Sequence, residues 1–300
     1  MKKIYFCGFW ANFDIKNFSD LFFNEIEYEC TDNFNDSDIT IVAPFLDKNS
    51  CNTLITDNLK IKLLFVSEPI EHVRPRLLHL INNNKYNAVF GCIENNPEKF
   101  YYKYPIYLLN IDIFDKEIFI KVNEYVKNIN LEEKKFCCLI NSHDNGNTRR
   151  PIYIELKKYR SIDCPGKLLH NCSNELLNKI GNIEFLKNYL FNICSENYSC
   201  KLPGYITEKL MNACLGGSIP IYFGSFDEID NKIFNKNRII FYDPYNKESL
   251  TKTGNFVREL LNDKTKLENF YRQDVFCDTA FDTIQELLKN MRYKIKELCN

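Results

Sequence analysis

Short apolar runs recur along both halves of the 300-residue chain, each followed by a polar or helix-patterned stretch. In the first half Ile39-Thr40-Ile41-Val42-Ala43-Pro44, Lys62–Val66 and Ala88–Cys92 read as buried strands bounded by turn residues, and Pro105–Leu109 reads as another. Phe18–Ile26 and Arg76–Ile81 carry helical spacing between them. Phe136–Ile140, Lys187–Cys194, Ser218–Phe223 and Arg238–Tyr242 continue the series, with helices expected at Arg150–Tyr159 and Thr207–Leu215. Parallel strands need a crossover between them and are covered on both faces, so they read as continuous apolar runs. The alternation therefore predicts an α/β chain with parallel, doubly wound sheets. From Lys247 onward the spacing of Phe256, Leu260, Leu261, Leu267, Phe270, Ile284, Leu287, Leu288 and Met291 is helical.

A chain of this length, 45% hydrophobic and 14% aromatic, can build two cores. The polar stretch Asn128–Lys135 is the expected boundary, giving domains 1–130 and 131–300, with the terminal helices free to pack back on the first. In such domains ligands bind at the carboxyl ends of the strands. A net charge of −1 supplies no field for nucleic acid. No stretch approaches the ~18 apolar residues of a membrane span, and Ile4–Phe6 is too short for a secretory signal, so it reads as the opening strand ending at Gly8. The 13 cysteines form no metal-type array and are expected as free thiols. Cys194 with Cys200, or Cys164 with Cys172, is the disulfide alternative.

Four segments carry candidate chemistry. Gly204-Tyr205-Ile206-Thr207-Glu208-Lys209 opens a helix that ends at Gly216-Gly217 before the strand Ile219-Pro220-Ile221-Tyr222-Phe223-Gly224. A helix N-terminus offers unpaired N–H groups and a positive dipole end to phosphate. Lys209 adds a charge there, and Glu208 can accept from a sugar hydroxyl; an ordinary capped helix has the same spacing. The loop Asn141–Arg150 places Arg149 and Arg150 after a strand, where guanidinium matches phosphate bidentately, unless it is only a solvated basic helix start. Ser67-Glu68-Pro69 ends another strand: Glu68 is a general base toward a hydroxyl or an exposed turn residue. Ser195-Glu196-Asn197 ends a third, where Asn197 braces a loop or touches a ligand. His72, His79, His143 and His170 show no metal-ligand spacing, and Asp36-Ser37-Asp38 reads as a turn. No Gly-x-Gly-x-x-Gly, Walker or Gly-x-Ser-x-Gly motif is present.

Glu196-Asn197, Tyr205-Ile206-Thr207-Glu208-Lys209 and Ile219–Gly224 together resemble the signature of the α-1,3/α-1,4-fucosyltransferases, glycosyltransferase family 10. Glu184–Tyr189, Arg149–Leu156, Ser67-Glu68-Pro69 and Pro105-Ile106-Tyr107 resemble further parts of it, so the likeness runs over about residues 60–245. The resemblance implies a GT-B fold, two Rossmann-like domains facing a central cleft. The first would be the acceptor side, the second the nucleotide-sugar side. It implies inverting transfer of fucose from GDP-fucose, as substrate, to a hydroxyl of a glycan or glycoconjugate. No metal would be obligatory, a divalent ion at most stimulating. By matching position Glu68 would be the base. Arg149, Asn197, Tyr205, Thr207, Glu208 and Lys209 would hold the GDP-sugar, and Arg149, Lys209 and the helix N-terminus at Thr207 would neutralise the leaving diphosphate. A cytoplasmic enzyme of microbial or viral type, peripheral to a membrane if attached at all, is expected. The chain departs from the pattern at Ser195, where the family has an aromatic, and in a loop before Tyr205 about two residues longer. Another GDP- or UDP-sugar as donor, or a silent glycan-binding protein, are the alternative readings.

Overall fold

Strands β1 (Lys2–Cys7), β2 (Tyr28–Cys30), β3 (Ile39–Val42), β4 (Ile61–Val66), β5 (Ala88–Gly91) and β6 (Tyr101–Lys103) form one sheet in the order β2-β1-β3-β4-β5-β6, every pairing parallel. They are seen in a computed structural model that describes residues 1–46, 60–69, 85–198 and 204–300. Register sets Ile39 between Ile4 and Ile61, and Leu63 beside Ala88. Strands β3 and β5 are buried at every position, as two covered faces require. Helix Ile15–Phe22 starts where the Asp14 carboxylate accepts the Asn17 N–H at 2.9 Å. It lays Phe18 edge-on to Phe65 at 5.1 Å and Phe22 edge-on to Tyr104 at 4.8 Å.

This sheet belongs to a unit comprising Met1–Ile111, Cys200–Tyr205 and Ile284–Asn300. The last helix, Ala280–Cys299, begins in the second unit and enters the first at Ile284. Within the first unit Arg292 Nε donates to the Leu21 carbonyl at 2.7 Å, and Lys296 pairs with Glu25 at 3.1 Å.

The second unit comprises Asp112–Ser199 and Ile206–Thr283. Its sheet runs β11-β10-β9-β7-β8, again wholly parallel, from β7 (Lys135–Cys138), β8 (Ile162–Asp163), β9 (Tyr189–Ile193), β10 (Ile219–Tyr222) and β11 (Ile240–Phe241). Pro220 lies in β10, inside the sheet. The Ile221 carbonyl accepts from Cys194 on one side and the Tyr222 carbonyl from Tyr242 on the other. Alternation thus turns the Pro220 nitrogen toward β11, one residue before that pairing starts at Ile221 and Ile240. No ladder bond is lost.

Three expectations change. Pro105–Leu109 is not a strand: Pro105 sets up a 3₁₀ turn over Ile106–Leu109, closed by Leu108 N–H on the Pro105 carbonyl at 3.0 Å, and the edge strand is β6. The division falls at Ile111 and not at residue 130, because helix Glu117–Asn128 is tied into the second unit. There Asn123 accepts the N–H groups of Val275 and Phe276 at 2.8 and 3.0 Å and donates to the Phe276 carbonyl. Helix Glu175–Leu186, absent from the sequence reading, precedes β9, which starts at Tyr189 and not at Lys187. Arg76–Ile81, His72, His79, Cys51 and Cys200 lie outside the described residues.

Every cysteine among the described residues, Cys164 and Cys172 included, is a free thiol, and most are buried. Burial pushes Cys164 and Cys214 up to about 12, which keeps them as packed small hydrophobes. Among the described residues no helix is long and apolar enough to cross a membrane.

Candidate functional site

In the second unit three loops leave the carboxyl ends of β7, β9 and β10, on one edge of the parallel sheet. The loop after β7 is folded around Asp144. Its carboxylate accepts the N–H groups of Thr148, Arg149 and Arg150 at 2.8, 3.1 and 2.8 Å and so caps helix Arg150–Leu156. That cap offsets the unfavourable placement of two arginines at a helix start. Gly146 allows this loop to lie on the next one, since a Cβ there would stand 2.2 Å from the Asn197 carbonyl oxygen.

Arg149 is fully buried. Its guanidinium donates to the carbonyls of His143 at 2.9 Å and Ser195 at 2.8 Å, and to Asn197 Oδ1 at 2.7 Å. Its Nε has no partner among the described residues. Arg149 therefore braces Ser195–Asn197 from beneath while holding a full charge in the interior. The family departure at Ser195 is met inside the core, where the Ser195 hydroxyl contacts the Tyr242 phenol.

Glu196 is the centre of the loop after β9, and the sequence reading gave it no role. It is completely buried. Its Oε1 accepts the Thr207 N–H at 2.7 Å and its Oε2 the Thr207 hydroxyl at 2.8 Å. It thus occupies both donors of Thr207, the residue that precedes helix Glu208–Leu215, so Thr207 has neither to spare for a phosphate. Lys209 Nζ lies 3.5 Å from Glu196 Oε2 and 3.3 Å from Glu208 Oε1, and donates to Thr207 Oγ1 at 2.9 Å. Burial disfavours the Lys209 charge, but the carboxylates of Glu196 and Glu208 outweigh it and raise its proton affinity, while Arg149 acts against it. Burial raises Glu196 as well, opposed by Lys209. Glu208 is the open member, with a side chain 40% exposed against 17% for Lys209. Arg149, Asn197, Glu208 and Lys209 are thus brought together at one strand edge, with Thr207 and Glu196 as their support.

Glu68 and Tyr205 belong to the first unit. Glu68 follows β4, and the Tyr205 phenol donates to its Oε2 at 2.9 Å. Gly204 makes this possible. It has φ +98, and a Cβ there would lie 2.4 Å from the Ile93 carbonyl carbon, so its backbone rests directly on the segment after β5. The run Tyr205–Lys209 is therefore divided, its tyrosine meeting the candidate base and its lysine the buried cation. Among the described residues no group of His, Cys, Asp and Glu is arranged to hold a metal.

Two α/β units, each on a parallel sheet with polar side chains at the strand carboxyl ends, define the GT-B class of glycosyltransferase. Crystal structures of α1,3-fucosyltransferase, free and with GDP-fucose, superpose with TM-scores of 0.69 and 0.64 at 20% and 19% identity, covering 97% of this chain and 90% of theirs. Residues 130–300 match glycosyltransferase family 10 (fucosyltransferase), C-terminal part, and the chain belongs to that family. It is 37% identical over 139 residues to α-(1,3)-fucosyltransferase B of Drosophila melanogaster, and 32% identical over 93 residues to the α-(1,3)-fucosyltransferase FucT of Helicobacter pylori. These stretches are 43% and 31% of this chain, but only 30% and 18% of those relatives.

Proposed function

We propose that the chain is an inverting fucosyltransferase that moves fucose from GDP-fucose to a glycan hydroxyl. One observation carries the reading: the buried Arg149, bonded to Ser195 and Asn197, and Lys209, paired with the Glu196 between them, set two cations at the carboxyl edge of one parallel sheet. An anion between or above them relieves the repulsion of the two cations, and a nucleoside diphosphate is the anion such an edge receives. Lys209 would touch the diphosphate, Arg149 would act from beneath through its charge and through Asn197, and Glu208 would take a donor hydroxyl. These cations would stabilise the leaving diphosphate without requiring a metal.

Glu68 would remove the proton from the attacking acceptor hydroxyl. The Tyr205 phenol, donating to Oε2, would hold the carboxylate in orientation for that transfer. One base, with no second carboxylate acting as nucleophile, gives inversion at the transferred carbon. The GDP-fucose complex of the structurally similar α1,3-fucosyltransferase and the names of the relatives support fucose as the sugar. The test is calorimetry with GDP beside a transfer assay. Lys209→Ala should lose GDP binding and transfer together, whereas Glu68→Gln should lose transfer and keep GDP. Undiminished transfer by either variant removes that residue from the mechanism.

A further inference from the structure

The first unit holds a cavity of about 210 Å³ that none of these roles uses, where β1 ends. Trp10, Phe13 and Phe18 line it, together with the amides of Asn12, Asn17 and Asn110. Trp10 is the chain's single tryptophan and is half-buried. It meets Phe13 edge-on at 4.5 Å; Phe13 stacks on Phe9 at 4.6 Å, and Phe9 on Phe65 of β4 at 5.9 Å. Glu68 follows that same strand. Because all pairings in the sheet are parallel, the loop after β1 and the Glu68 turn after β4 leave the same edge. The loop is pinned by Phe13 N–H on the Trp10 carbonyl at 3.2 Å and by the Asp14 cap of the following helix.

The lining selects the ligand. Asp14 is its one charged residue and no cation is present, so a phosphate or other anion is unsuited to it. Aromatic faces accept the C–H face of a sugar ring, and each amide pairs a donor with an acceptor, as hydroxyl groups require. The volume is below the ~300–1,000 Å³ of drug-sized ligand sites and suits one ring. We propose that this pocket is an acceptor subsite, holding one neutral pyranose of the glycan against Trp10 with its hydroxyls on Asn12, Asn17 and Asn110. The proposal rests on the transferase reading for its role, and on the lining alone for its ligand.

Trp10 makes the test specific, since the emission of a lone indole reports this pocket only. The full chain is titrated with N-acetyllactosamine, N-acetylglucosamine and galactose, and GDP binding is measured calorimetrically on the same preparation. At least one sugar should change the emission saturably in the millimolar range. Asn110→Ala, an exposed change, should weaken that response roughly tenfold and raise the acceptor KM by a similar factor, leaving kcat and GDP affinity unaltered. Emission unmoved by all three sugars, or an unchanged midpoint in Asn110→Ala, overturns the proposal. GDP binding without a sugar response removes the pocket and spares the transferase reading; a sugar response without GDP binding does the reverse.

Discussion

Arg149 and Glu196 hold the candidate site by opposite charges that are both buried, and each makes a residue-level prediction. Arg149 spreads three hydrogen bonds over two carbonyls and Asn197, a fork that an ammonium group cannot reproduce. Arg149→Lys should therefore cost about 2 kcal/mol or more in urea unfolding and weaken GDP binding despite the retained charge. Equal stability and affinity would reduce Arg149 to a simple cation. For Glu196, burial raises the carboxyl above its ordinary 4.5, so the folded chain holds the proton more tightly than the unfolded one. The stability it contributes is present below 4.5 and declines as pH rises through the folded value. Wild type should lose Tm relative to Glu196→Gln over that rise, and the opposite trend would mean that Lys209 and Thr207 outweigh burial. Tyr205→Phe should lower kcat while leaving donor KM and GDP affinity intact, since the phenol meets Glu68; a raised donor KM would place Tyr205 on the nucleotide. Lys209, Glu208 and Glu68 were legible as charges at strand or helix ends. The roles of Glu196 and Tyr205 were not: Tyr205 is fixed by Glu68, 137 residues away, and Glu196 by a loop that folds Thr207 back onto it.

Buried strands whose signal is a continuous apolar run were read correctly, and the short edge strands β2, β6 and β8 were not. Ile39–Val42, Ala88–Gly91 and Ile219–Tyr222 are buried throughout and announce themselves. Strands β2 and β6, Tyr28–Cys30 and Tyr101–Lys103, have three residues each at the sheet edges and offer no run to recognise. Helix Glu117–Asn128 buries a stripe of Phe119, Val122 and Val126 that its interspersed charges obscure. Helix Glu175–Leu186 is interrupted by Gly181 at φ +77, which breaks its pattern. The Gly204 turn is the element most exposed to a single change. Gly204→Ala forces a Cβ into the Ile93 backbone at a positive φ, and should destabilise the protein by roughly 2–4 kcal/mol while displacing Tyr205 from Glu68. Urea unfolding and kcat check both effects. Wild-type values would mean that the turn rearranges freely.

For the whole molecule, the alternation of strands and helices predicted two parallel sheets, and both are present. The boundary moved because attachment of helix Glu117–Asn128 depends on Asn123, a long-range contact without a local signal. Family membership rests on residues 130–300, most of which lie in the second unit. Ligand linkage follows: GDP at about one hundred times its Kd should stabilise wild type by roughly 2.7 kcal/mol and leave Lys209→Ala unchanged. The most direct test of the central claim is GDP release from GDP-fucose in the presence of a glycan acceptor, compared with release from UDP-sugars and with Glu68→Gln. The account predicts acceptor-dependent release from GDP-fucose alone, abolished in Glu68→Gln although that variant still binds GDP. No release from GDP-fucose, or undiminished release by Glu68→Gln, would contradict it.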